Sequence, residues 1–287
     1  MILIAGATGS VGGRIALELL ESGEAVRALV RRTSDPARLK AAGAELAVGD
    51  LKDPPSLARA CRGADIVITT ATMSKRGDDS VANVDLQGTQ NLIAAADKAG
   101  VGHFILVSTV GASPESPVEL FRAKGLAEQR LRASGMVHTI LQPAPFMDVW
   151  FGMLVELPVQ RGEPVSLVGE SRRRHAFIAE QDVAAIAAAA THTPAVRNVT
   201  LPIGGPEAIT WRDVVRAYEE AIGRPVPVRS ILPGASIPGL PEAVWGLAAS
   251  LETFDTIIPM EGIVREFGIT LTSAAAFAGT RLAMVAH

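Results

Sequence analysis

The chain has 287 residues and a formal charge of −3, from 27 Lys and Arg against 30 Asp and Glu. That length suits one large domain or a domain with a lobe, since domains run to about 100–200 residues. The basic residues are scattered rather than striped along one face, so no nucleic-acid partner is expected.

Hydrophobic residues make up 48% of the chain but aromatics only 4%, so the interior must be built mainly from Ala, Val, Leu and Ile. That palette suits buried parallel strands covered by small-residue helices. Cys61 is the only cysteine, which rules out an internal disulfide and makes a reducing cytoplasm the expected location. No apolar run approaches the ~20 residues that span a bilayer, so no membrane partner is expected. The opening "MILIAGATG" lacks a basic start and a long apolar middle, and reads as a first strand rather than a leader.

In chain order, short β-branched runs alternate with amphipathic stretches. "MILIAG", "AVRALV", "AELAVG", "ADIVITT", "HFILVS" and "HTILQP" read as strands. Between them, "RIALELLESG", "PARLKAAG", "SLARACRG", the long "VDLQGTQNLIAAADKAG" and "VELFRAKGLAEQRL" read as helices. Six strands joined this way predict a doubly wound parallel sheet, with ligands beyond the carboxyl ends of its strands. After Pro143 the rhythm breaks. A helix in "EQDVAAIAAAA" and a strand in "NVTLPI" return to the sheet, followed by a helix in "TWRDVVRAYEEAIG" and a Pro-rich connector, "RPVPVRSILPGASIPGLP". The final "ITLTSAAAFAGTRLAMVAH" is weakly patterned.

"ILIAGATGSVGGRIALELL" places Gly6, Gly9 and Gly12 after a strand and at the opening of a helix. Gly6 permits the tight turn, Gly9 lets backbone approach a pyrophosphate, and Gly12 lets the helix pack closely on the strand. The amides of the helix start, with Thr8, Ser10 and Val11 between the glycines, face the phosphates. Beyond the second strand, "LVRRT" offers Arg31 and Arg32 where an NAD site would carry Asp or Glu. A guanidinium pair suits a 2′-phosphate, so NADP(H) is favoured over NAD(H).

The ordered series "GATGSVG", "LVRR", "GDL", "NVDLQGTQNLIAAADKAGVGHFILVST", "FRAKGLAEQRLRASG", "TILQP" and "FIAEQDVA" resembles the atypical short-chain dehydrogenase/reductases, in their NmrA-like NAD(P)-binding branch. That branch includes quinone reductases and relatives of isoflavone reductase. The resemblance covers the first ~205 residues well and the rest in general layout. It implies a Rossmann-type α/β fold with a small C-terminal α/β lobe. Residues 1–155 would form the NAD(P)-binding core with 176–205 returning to it, and 156–175 with 206–287 would form the substrate-binding lobe. It also implies that Asp50 and Leu51 lie beside the adenine, that Thr70, Ala71 and Thr72 line the ribose and pyrophosphate path, and that Pro143 and Phe146 neighbour the nicotinamide.

In better-known members a Ser or Thr, a Tyr and a Lys four residues later cooperate. Here Ser108 and Thr109 stand at the strand end and Lys124 fits the lysine, but Leu120 occupies the tyrosine position. The only tyrosine is Tyr218, far along the chain. Three readings stay open. The protein reduces a quinone-like or conjugated carbonyl compound whose product anion needs little acid help; or Lys124 is itself the acid/base group; or the site senses NADP(H) for a protein partner without chemistry. The oligomeric state stays open between monomer and homodimer. Arg172, Arg173, Arg174 and His175 read as a solvated loop, His103 and His138 as structural residues at strand starts, and Asp182 as a helix-start residue. No metal-ligand spacing is present.

Overall fold

The computed structural model describes residues 1–74 and 77–285. Seven strands form one sheet in the order β3-β2-β1-β4-β5-β6-β8. They are β1 (Ile2–Ala5), β2 (Val26–Val30), β3 (Glu45–Val48), β4 (Ile66–Thr69), β5 (His103–Val107), β6 (His138–Pro143) and β8 (Val199–Ile203). Neighbours run parallel from β3 through to β6. β8 follows β6 in the same direction, because Asn198 meets His138 at one end and Ile203 meets Ala144 at the other. Every residue of β1 and β5 is buried. A strand covered on both faces must be apolar throughout, which is why these segments are continuous aliphatic runs rather than alternating ones.

The crossovers are α1 (Ser10–Glu21), α2 (Ala37–Ala41), α3 (Pro54–Cys61), α4 (Gln87–Ala99) and α5 (Glu119–Arg132). The long helix expected over "VDLQGTQNLIAAADKAG" is composite: a π-helical segment, Val81–Leu86, runs into α4. Ser80 and Asn83 start it with a reciprocal capping pair. The sheet order reverses between β1 and β4, so the doubly wound topology opens its crevice at the carboxyl ends of those two strands.

The chain divides into two compact units, Met1–Pro143 with Val183–Pro202, and Ala144–Asp182 with Ile203–His287. The second carries short helices α6 (Met147–Phe151) and α7 (Leu157–Arg161), the start of α8 (Glu180–Ala190), then α9 (Trp211–Ile222), α10 (Glu242–Ser250), α11 (Glu261–Phe267) and α12 (Ala274–Val285). The Pro-rich connector is not all loop. Its Val228–Ile231 (β9) pairs in parallel with Val165–Val168 (β7) as a second, two-stranded sheet. Proline removes a donor but keeps its carbonyl, and Pro227 uses that carbonyl to accept from Val165 N at 2.8 Å. The weakly patterned end forms α12, which buries Ala274, Phe277 and Ala278; residues 286–287 lie outside the described ones.

The few aromatics are unevenly spent. A core cluster of the first unit has Phe104 as its one aromatic side chain, whereas Phe151, Phe177, Trp211, Tyr218 and Phe277 are buried together in the second. Phe151 meets Phe177, Trp211 and Phe277 edge-on, with ring centroids 5.0, 6.1 and 5.7 Å away. The 172–175 run is not a uniformly solvated loop. His175 has no exposed surface, and its ring nitrogens lie 3.2 Å from Thr256 Oγ1 and 2.9 Å from Leu251 O. Asp182 accepts from both the backbone and the hydroxyl of Thr272, at 2.8 and 2.7 Å. Among the described residues, no helix is long and apolar enough to cross a membrane.

Candidate functional site

The turn between β1 and α1 is shaped by what a Cβ would strike. Gly6 has φ +88°, and a Cβ there would lie 2.6 Å from Thr70 Oγ1. A Cβ on Gly12 would lie 2.3 Å from Gly6 O. Helix, turn and β4 end are therefore packed to backbone contact, and larger residues at either position would force them apart. Thr8, Gly9 and Ser10 are exposed on the outer side, while Val11 is half-buried. Gly9 immediately precedes α1 and places no side chain of its own over the helix N-terminus, the end whose amides and dipole favour an anion. This cradle fits a pyrophosphate.

At the end of β2, Arg31 is half-buried and ion-paired with Asp79 at 2.7 Å. Arg32 is exposed. At the end of β3, Asp50 Oδ1 accepts from Lys52 N at 2.9 Å, and the Leu51 side chain is buried in the core. At the end of β4, Thr70 backs the glycine turn, whereas the Thr72 hydroxyl donates to Asp85 at 2.7 Å.

Lys124 lies on α5 and is buried. Its Nζ stands 3.1 Å from Asp85 Oδ1 and donates to Ala71 O at 3.3 Å. Asp85 has no exposed surface and takes Met73 N at 2.8 Å on its other oxygen. One buried carboxylate thus supplies the counter-charge for the ammonium and ties down the chain leaving β4. Sequence reasoning missed Asp85, because a carboxylate early in a helical stretch ordinarily reads as solvated.

Ser108 and Thr109 follow β5 but face different partners. Ser108 is buried and donates to Glu128 at 2.5 Å. Glu128 also accepts from Gln142 and Arg132, each at 2.9 Å, so the serine belongs to a closed polar network. Among the described residues, the half-buried Thr109 hydroxyl makes a single long bond, 3.3 Å to the carbonyl of Val110. Leu120 and Phe121 are both half-buried. Tyr218 lies in the second unit with no exposed surface, and burial, reinforced by Glu156, pushes its hydroxyl above the ordinary range. It donates to Glu156 at 3.4 Å. Burial likewise pushes the Cys61 thiol up to about 11, so no cysteine nucleophile is on offer. Pro143 is buried at the end of β6; Phe146, in the second unit, is half-buried and bridged to Ile178.

A model of an NAD(P)H-binding family matches residues 6–194. The chain is 35% identical over 226 residues to the NAD(P)H azoreductase of Xenophilus azovorans, covering 79% of this chain and 75% of that protein. It is 31% identical over 222 residues to the photosystem II assembly factor Ycf39 of Synechocystis, covering 77% and 68%. Among solved structures, the NADPH-dependent quinone oxidoreductase of Escherichia coli shares the fold with a TM-score of 0.81, at 21% identity over 98% of this chain and 100% of that one. With the family model spanning well over half of the chain, and the glycine cradle in place between β1 and α1, the protein belongs to the NAD(P)H-binding family.

Proposed function

We propose that this protein is an NADPH-dependent oxidoreductase that reduces a small quinone-like or conjugated carbonyl compound without a catalytic tyrosine. The observation that carries this reading is Lys124. An ammonium has three donors, and Asp85 and Ala71 account for two of them. The third is left for a ribose hydroxyl or a substrate oxygen beyond the ends of β4 and β5. Its place on the first unit, beside the glycine cradle, suits a fixed cation that orients what binds there. The named activity of the azoreductase relative supports the same class.

When bound, NADPH supplies the hydride. The residues between Gly6 and Gly12 bind the pyrophosphate, and Arg31 with Arg32 take the 2′-phosphate. Thr109, with no strong bond of its own, donates to the substrate oxygen as negative charge grows there. Hydride addition to a quinone gives a hydroquinone anion. That anion is stable enough to collect its proton from water, so Leu120 at the tyrosine position costs the reaction little.

A second reading has one specific support: the assembly-factor relative, which favours cofactor binding in the service of a protein partner. Turnover separates the two. Purified protein is mixed with NADPH and a panel of quinones, enones and azo dyes, and loss of the reduced cofactor is followed by absorbance. Catalysed oxidation with at least one quinone or enone is the expected result. Tight NADPH binding with no turnover on any acceptor would favour the second reading.

A further inference from the structure

Arg31 does not stand alone at the end of β2. Its Nη1 donates to Asp79 Oδ2 at 2.7 Å and its Nη2 to Ser74 Oγ at 3.4 Å. Asp79 comes from the segment that follows β4, yet its side chain is only 3% exposed. It also takes Ser74 Oγ at 2.7 Å and Lys52 Nζ at 3.0 Å. Lys52 reaches outward as well, to the largely exposed Asp78 at 2.6 Å. Burial works against the charge of Asp79, but Ser74, Lys52 and Arg31 outweigh it and hold the carboxyl down to about 2. It is therefore a carboxylate at any physiological pH.

The backbone that delivers Asp79 is also held. Asn83 Nδ2 donates to Asp78 O at 2.8 Å, and Ser80 and Asn83 cap each other reciprocally at the start of the next segment. The carboxylate is therefore a built part of the β2 end. Arg32, one residue on, is exposed and has no counter-charge among the described residues.

We propose that Asp79 is a specificity-determining residue that opposes the 2′-phosphate and so weakens the preference for NADPH over NADH that two arginines would otherwise give. This rests on the reading of Arg31 and Arg32 as the 2′-phosphate pair. A phosphate reaching Arg31 must share the guanidinium with a carboxylate already bonded to it, and two anions at one cation repel. The ribose hydroxyl of NADH meets no such repulsion and can donate to a carboxylate. Arg32, with no carboxylate to satisfy, carries the remaining preference. The residue that opposes the 2′-phosphate is thus an acidic one outside the arginine motif, 48 positions beyond Arg31 in sequence but bonded to it in the fold.

The test is equilibrium titration of the full chain with NADPH and with NADH, at one low salt concentration, for the wild type and the Asp79→Asn, Asp79→Ser, Asp78→Asn and Arg32→Gln variants. Asp79→Asn should tighten NADPH on the order of tenfold, while NADH changes by less than about twofold or weakens. Asp79→Ser should repeat the gain, which assigns it to charge rather than shape, and Asp78→Asn should move NADPH less than either. NADPH binding unchanged or weakened in both Asp79 variants overturns the proposal. Arg32→Gln reads the underlying assignment separately. If it loses NADPH selectively while the Asp79 variants do nothing, only the role of Asp79 falls; if it leaves NADPH affinity intact, the 2′-phosphate reading falls and the proposal with it.

Discussion

Asp85 and Lys124 form a pair whose two halves are not equally supported. Removing the carboxylate leaves a buried ammonium with only Ala71 O, whereas removing the ammonium leaves a carboxylate that still takes Thr72 Oγ1 and Met73 N. Stranding one member of a buried pair costs about 3–5 kcal/mol, and the cost falls when other donors remain. Asp85→Asn should therefore lower unfolding free energy in urea by about 3 kcal/mol, and Lys124→Met by clearly less. Equal losses would contradict the assigned asymmetry. Of this arrangement, Lys124 is legible from sequence because "FRAKGLAEQRLRASG" carries it in a motif of known resemblance. Asp85 and Asp79 are not, because carboxylates near a helix start look the same whether they are solvated or buried against a cation. Ser108 illustrates a different limit: the sequence places it at a strand end, but only its partner Glu128 shows which side it faces.

Among elements, the β1–turn–α1 unit is the one where spacing alone reaches the right physical answer. Glycines at 6, 9 and 12 predict a close approach, and the clash distances at Gly6 and Gly12 are that approach. Gly12→Ala should cost about 1–3 kcal/mol through overpacking and should weaken NADPH binding in the same protein. Gly13 is the internal control. A Cβ there would meet Ala7 O at 3.2 Å, which small shifts relieve, so Gly13→Ala should stay within about 1 kcal/mol of the wild type by thermal or urea unfolding. The strands of the main sheet are legible because both-face burial demands aliphatic runs. β9 is not, since Pro225 and Pro227 mask a strand that needs only one partner. α12 is hidden by its Ala and Gly content, which blurs the apolar stripe that Ala274, Phe277 and Ala278 make.

At the scale of the whole molecule, His103 links pH to stability. Thr139 Oγ1 donates to Val196 O and so accepts from His103 Nε2, which leaves a buried Nδ1 with no partner. Burial, aided by Arg197 and His138, holds the imidazole down at about 4. An unfolded histidine titrates near 6.5, so on acidification the unfolded chain takes up a proton first. Stability fully present above ~6.5 should then be lost as pH falls toward 4, by about 3 kcal/mol at most. His103→Gln should flatten that slope in urea titrations between those limits; an unchanged slope would assign the acid sensitivity elsewhere. The doubly wound first unit, the glycine cradle and the reductase relatives converge on cofactor-dependent reduction, and the proposed mechanism makes Lys124 the fixed cation of the site. The most direct test follows NADPH consumption with a quinone acceptor by the wild type beside Lys124→Ala, in protein shown to retain cofactor binding. A fall of about a hundredfold in kcat/KM is the outcome this account requires. Turnover at the wild-type rate without Lys124 would contradict it.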